Sequence, residues 1–167
     1  MKSKGGLALL LVLLLSALVA TPARAAPTRQ EYVAQVDPLC QAAIPQLVAT
    51  NDAFIKTLKA INRRLKHGRI KGILRLISSA ARSLNTYTAA HASLTTQISG
   101  VQPPQGDEFA VNTWIEGRRH AEAFGNAAAS SLKQVKFRQF QRQFDQAVAA
   151  DQSAIGPVSS FGFQQCI

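Results

Sequence analysis

Apolar residues recur along this chain at alternating steps of four and three, the repeat that lines one face of an α-helix. The clearest run is Cys40, Ile44, Leu47, Asn51, Phe54, Leu58, Ile61 and Leu65. A second unbroken run is Ile70, Ile73, Ile77, Ala80, Leu84, Tyr87, His91, Leu94 and Ile98. The third is poorer in large side chains: Ala110, Trp114, Gly117, Ala121, Phe124 and Ala128. Phe137, Phe140, Phe144 and Ala147 make the fourth, with Val148 and Ile155 alongside.

Residues that begin and end helices fall between these runs. Asp37-Pro38 predicts the start of the first helix, an N-cap side chain followed by proline at the first helical position. Thr28-Arg29-Gln30-Glu31 has the form of a capping box for an earlier turn. Pro38 and Pro45 lie off the apolar face, so a kink there bows the helix without emptying the core. Gly68 stops the first helix, and Gly100 with Pro103-Pro104 stops the second. Asp107 and Glu108 open the third, where negative charge suits the helix dipole. The third break, Lys133–Lys136, holds neither glycine nor proline, and Gly156-Pro157 ends the fourth helix.

Four amphipathic helices on short connections predict an all-α fold, an antiparallel up-down-up-down four-helix bundle. At about 1.5 Å per residue the first three helices span roughly 37–42 Å and the fourth only about 27 Å. In extended form, the eleven residues Gly156–Cys166 cover the difference and bring Cys166 level with Cys40. Of the 167 residues, 47% are apolar but only 7% aromatic, so aliphatic and alanine packing dominates the core. Trp114, Phe161 and Phe163 are the expected aromatic anchors.

The first 25 residues have the layout of a secretory signal. Lys2 and Lys4 precede an apolar run, Leu7–Ala20, and Ala23-Arg24-Ala25 supplies small residues for cleavage after Ala25. Retention of the segment as an uncleaved anchor is the alternative, although the run is shorter than the roughly 20 residues of a usual span. Residues 26–167 then form the bundle domain. In an exported protein the two cysteines, Cys40 and Cys166, are expected to pair, closing the bundle with one disulfide.

Charge adds a direction to this picture. Without Lys2, Lys4 and Arg24 the formal charge of +10 falls to +7. No acid lies between Asp52 and Asp107, while Lys56, Lys59, Arg63, Arg64, Lys66, Arg69, Lys71 and Arg75 crowd into one part of that stretch. In the predicted topology the first and third connections share one end of the bundle. Lys133, Lys136, Arg138 and Arg142 therefore join the first cluster at a distal basic pole. Glu31, Asp37, Asp107, Glu108 and Asp151 are expected near the opposite, disulfide-closed end. A one-signed field of this kind points to an anionic partner, either lipid headgroups or a wall polymer. The expected anion-binding residues are Lys59, Arg63, Arg64, Lys66, Arg69, Lys71, Arg75, Lys133, Lys136 and Arg138. A merely solvated basic face is the competing explanation. Nucleic acid is a weak candidate, because no recognition motif and no set of interleaved stacking aromatics accompanies the charge.

Nothing points to catalysis or to a bound cofactor. The chain lacks Glu-x-x-His pairs, His-Glu-x-x-His, Cys-x-x-Cys, Gly-x-Ser-x-Gly and a phosphate-binding glycine loop. His67 falls in the basic tip, and His120 is spaced to pair with Glu116 on one helix face. Tyr87 and His91, one turn apart on the second apolar face, have the types and spacing of haem ligands. A hydrogen-bonded histidine at the core edge accounts for that spacing equally well. Asn51 and Asp151 lie on or beside core faces, as residues that fix helix register often do.

Both ends of the mature chain resemble small exported proteins of actinobacteria, a group of uncharacterised helical proteins. Glu31-Tyr32-Val33-Ala34-Gln35-Val36-Asp37-Pro38-Leu39-Cys40 and Phe161-Gly162-Phe163-Gln164-Gln165-Cys166 carry the resemblance. Pro103-Pro104 before the third helix agrees with it, and Asp37-Pro38 departs from it. The resemblance implies a disulfide-linked helical bundle and brings no activity. The expectation is a monomeric or weakly dimeric exported bundle that binds an anionic envelope component through its basic pole. A carrier of a small hydrophobic ligand or haem near Tyr87 and His91 is the first alternative. A structural envelope protein without a specific ligand is the second.

Overall fold

The computed structural model describes residues 25–166. The predicted signal segment, apart from Ala25, lies outside the described residues. Helix α1 spans Arg29–Lys66, α2 Ile73–Ser99, α3 Glu108–Lys133 and α4 Phe137–Ile155, and a 3₁₀ turn follows at Gly156–Phe161. Each helix packs against the next in sequence, giving the antiparallel four-helix bundle. Between α1 and α4, Cα atoms come no closer than 8 Å among the described residues, so one side of the bundle is parted.

Helix α1 begins nine residues earlier than Asp37-Pro38 predicts. Thr28 is the N-cap, and its side chain and that of Glu31 form a reciprocal capping box. Pro38 and Pro45 lie inside the helix, both exposed. The carbonyls they leave without an amide partner belong to Ala34 and Gln41, which are also exposed and can bind water. Asp37 does not cap the helix. Its carboxylate accepts from the backbone N–H of Gln164 at 2.9 Å and of Gln165 at 3.2 Å. The earlier start adds Tyr32 and Val36 to the buried face, two turns and one turn before Cys40.

Two core clusters are stacked along the bundle. The proximal one gathers Tyr32, Val36, Cys40, Leu94, Ile98, Val111, Trp114, Val158, Phe161 and Phe163. Cys40 and Cys166 are disulfide-bonded at this end, as expected. Residues after α4 do not run extended. Six of them coil into the 3₁₀ turn, whose three-residue repeat points Val158 and Phe161 into the core. Arg29 of α1 ties this end to the α2–α3 connection through Asp107, at 2.6 and 2.5 Å. That hydrogen-bonded pair holds the Asp107 carboxyl below its ordinary range. The distal cluster holds Phe54, Ile61, Ile73, Ile77, Leu84, Ala128, Ala129 and Leu132.

Small residues set the spacing of α3. A Cβ on Gly117 would lie 2.5 Å from the Cβ of Ala154 in α4, and one on Gly125 would lie 2.8 Å from Thr88 Oγ1 in α2. Neighbouring helices therefore approach α3 closely on both sides.

Candidate functional site

The distal pole takes shape where two short connections turn. After α1 ends, Gly68 (φ 65°) and Gly72 (φ 83°) supply the left-handed conformations that reverse the chain. Ile61 and Ile73, flanking this turn, pack in one cluster with Leu132, which precedes the second turn. Both basic groups are thus brought to one end. Lys59, Arg63, Arg64, Lys66, Arg69, Lys71 and Arg75 surround the first turn, and Lys133, Lys136 and Arg138 the second; all ten are exposed. The ion pairs among the described residues, Arg29–Asp107 and Arg119–Glu116, include none of them. Arg64 is set apart from the rest, because its Nη1 donates to the carbonyl of Lys71 at 2.7 Å and braces the turn.

The sequence pattern misassigned several apolar residues here. Leu65 and Ile70 fit the core repeat, yet both face solvent, and Ile70 is 77% exposed. Leu74, at 69%, is nearly as open, and Val135 and Phe137 are exposed at the second turn. The cause is topological. Helix α2 starts only at Ile73, so Ile70 falls in the connection between the helices, and Leu65 and Leu74 stand in the last and first turns beside it. Val135 takes a left-handed conformation (φ 62°), uncommon for a β-branched residue. The pole is therefore mixed, with large apolar side chains set among cations.

A second region lies between the two clusters, at the waist. Here α3 turns Arg118 inward, and it is only 6% exposed. Its Nε donates to Thr95 Oγ1 at 3.1 Å, and its Nη2 lies 3.4 Å from His91 Nδ1. Thr95 in turn donates to Glu122 Oε1 at 2.5 Å. The guanidinium also sits over the Trp114 ring, 5.7 Å from its centroid. Burial pushes the Arg118 pKa down, opposed by the carboxylates of Asp151 and Glu122. Tyr87 and His91 pack against each other with centroids 4.6 Å apart. Burial, then the neighbouring Arg118, lowers the His91 pKa, and Asp151 opposes them.

Beside this network is a cavity of about 260 Å³, walled by all four helices. A second lobe of about 200 Å³ shares His91 and Asp151 with it and reaches the disulfide. Asp151 thus belongs to the waist interior, not only to the acidic end expected for it. Glu116 does not pair with His120; it faces Arg119 at 3.8 Å, and both Glu116 and His120 are exposed. The expected third apolar face missed Arg118 because it is displaced by about one residue. The buried positions on α3 are Val111, Trp114, Ile115, Arg118, Gly125, Ala128, Ala129, Ser131 and Leu132. A legible signal was the Arg118-x-x-x-Glu122 spacing one turn beyond Trp114, with Gly125 following on the same face.

Neutral burial of His91 has a consequence for stability. Below its ordinary pKa of 6.5 the unfolded chain takes up a proton that the folded chain resists. Stability is therefore expected to fall as pH drops from 7.5 to 5.5, and His91→Gln should flatten that slope. Urea unfolding at both pH values checks it; an equal slope in the variant refutes it.

Among protein-family models, curated proteins and solved structures, none matches this chain at a significant level.

Proposed function

We propose that the protein is an exported helical bundle that docks on an anionic membrane surface of the cell envelope through its distal pole. The observation that carries this reading is the mixture at that pole: ten exposed basic residues and, among them, exposed Leu65, Ile70, Leu74, Val135 and Phe137. A soluble anionic polymer calls for the cations alone. A membrane interface takes both, with ammonium and guanidinium groups on the headgroups and apolar side chains at the acyl boundary. The absence of any acid between Asp52 and Asp107 keeps the field one-signed.

Each basic residue near an anionic bilayer contributes about 1 kcal/mol. Replacing Arg63, Lys66, Arg69 and Lys71 by glutamine is expected to weaken binding to vesicles containing phosphatidylglycerol on the order of a thousandfold. Arg64 is left in place because it braces the turn. Ile70→Ser with Leu74→Ser should weaken the same binding about tenfold or more, since burying such a side chain is worth about 1.5–3 kcal/mol. Vesicle co-sedimentation at low and high salt measures both. Unchanged binding by the glutamine variant, or no binding of the original protein, defeats the proposal. If only the serine variant binds normally, the contact is purely electrostatic and a polymer is the better partner.

A further inference from the structure

We infer that the waist cavity is a binding site for a small hydrophobic ammonium ion. This site is distinct from the pole and does not depend on membrane docking. Its volume of about 260 Å³ leaves room for a small organic molecule. Apolar and aromatic surface forms most of the wall. Phe54 of α1 and Phe144 of α4 face each other with ring centroids 6.0 Å apart, and Tyr87 and His91 supply further ring faces from α2. Small residues, Gly125 among them, leave the space that larger side chains would fill. Both α1 and α4, a pair of helices whose Cα atoms stay more than 8 Å apart, line it.

Charge selects the ligand class. The 260 Å³ lobe is walled by two carboxylates, Glu122 and Asp151, and by no lysine or arginine. Arg118 borders only the adjoining lobe, and its Nε and Nη2 are directed to Thr95 and His91. One guanidinium thus stands against two carboxylates, and Asp151 has no ion-pair partner within 4 Å among the described residues. The lowered pKa of His91 keeps its ring neutral, so it does not offset the second carboxylate. A net negative wall in a largely apolar pocket attracts a cation more strongly than the same charge does in water. Aromatic faces add to that preference, because their quadrupoles favour ammonium groups. An anionic guest such as a fatty acid or a haem propionate would meet Glu122 and Asp151 without a free cation in the same lobe. The ammonium head therefore sits toward Asp151, with the apolar body against the wall that Phe54 and Phe144 form together.

Isothermal titration of the purified protein with three probes of similar size tests this. They are phenethylammonium, neutral 2-phenylethanol and the 3-phenylpropionate anion. Phenethylammonium is expected to bind at least tenfold more tightly than the other two. Asp151→Asn should remove that preference, whereas Asp145→Asn, an exposed acid on the same helix, should preserve it. Ala147→Leu, which fills the cavity, should abolish binding of all three. Equal affinities, tightest binding of the carboxylate, or no binding of phenethylammonium at millimolar concentration overturns the inference. Circular dichroism of each variant establishes that its helices are intact. The three-probe ranking on the unsubstituted protein decides the matter even if Asp151→Asn does not fold.

Discussion

Replacing Cys40 and Cys166 together by serine is expected to cost about 4–5 kcal/mol of stability. The bond joins residues 126 positions apart, and almost the whole bundle lies between them. In the unfolded chain that link removes a large loop-closure entropy, about 1.5R ln n with n near that separation. Typical domains are stable by only about 5–15 kcal/mol, so a third or more of the total is at stake. Other contacts hold the C-terminal segment as well. Asp37 accepts two backbone hydrogen bonds from it, and Phe161 and Phe163 are buried beside Tyr32. The helices should therefore survive in the variant while the urea midpoint falls sharply. Equilibrium urea unfolding measures the loss, and a change below about 1 kcal/mol would contradict the chain-entropy account.

Trp114→Ala is expected to cost about 3–5 kcal/mol and to lower Tm by about 10–20 °C. The indole is 0% exposed at the centre of the proximal cluster, with its ring 5.2 Å from that of Phe163. Alanine leaves a cavity that helices pinned by the disulfide can close only in part. A second loss follows from Arg118. Its guanidinium, already buried, gives up the ring face beneath it. Calorimetry gives the Tm shift, and Trp114→Phe should recover a large part of it because it restores most of the volume. A fall of less than about 5 °C for the alanine variant would mean that the waist and the proximal core are not coupled as described.

Much of the fold was legible because helices announce themselves locally. Gly68, Gly100 and Gly156-Pro157 end helices where they were expected to, and α4 spans the predicted Phe137–Ile155. The start of α1 was misplaced at Asp37-Pro38. Proline is tolerated in a helix when the carbonyl it orphans faces water, and the side of α1 that faces water depends on where its neighbours lie. Candidate chemistry was less legible. The ten basic residues could be assigned to one end from topology alone. The exposure of Ile70 and Leu74 among them could not, since each fits an apolar repeat or borders one.

The sequence by itself determined the number and order of the helices, the pairing of its two cysteines and the meeting of two basic connections at one pole. These follow from periodicity, helix-ending residues and chain connectivity, all of which act over short separations. Only the tertiary structure decided which face of α3 turns inward. Close approaches at Gly117 and Gly125 accompany an orientation of that helix that buries Arg118 and half-buries Glu122. The parting of α1 from α4 was decided at the same level, and with it the cavity. Both depend on how four surfaces share one interior, a many-body packing problem that no repeat within a single helix encodes.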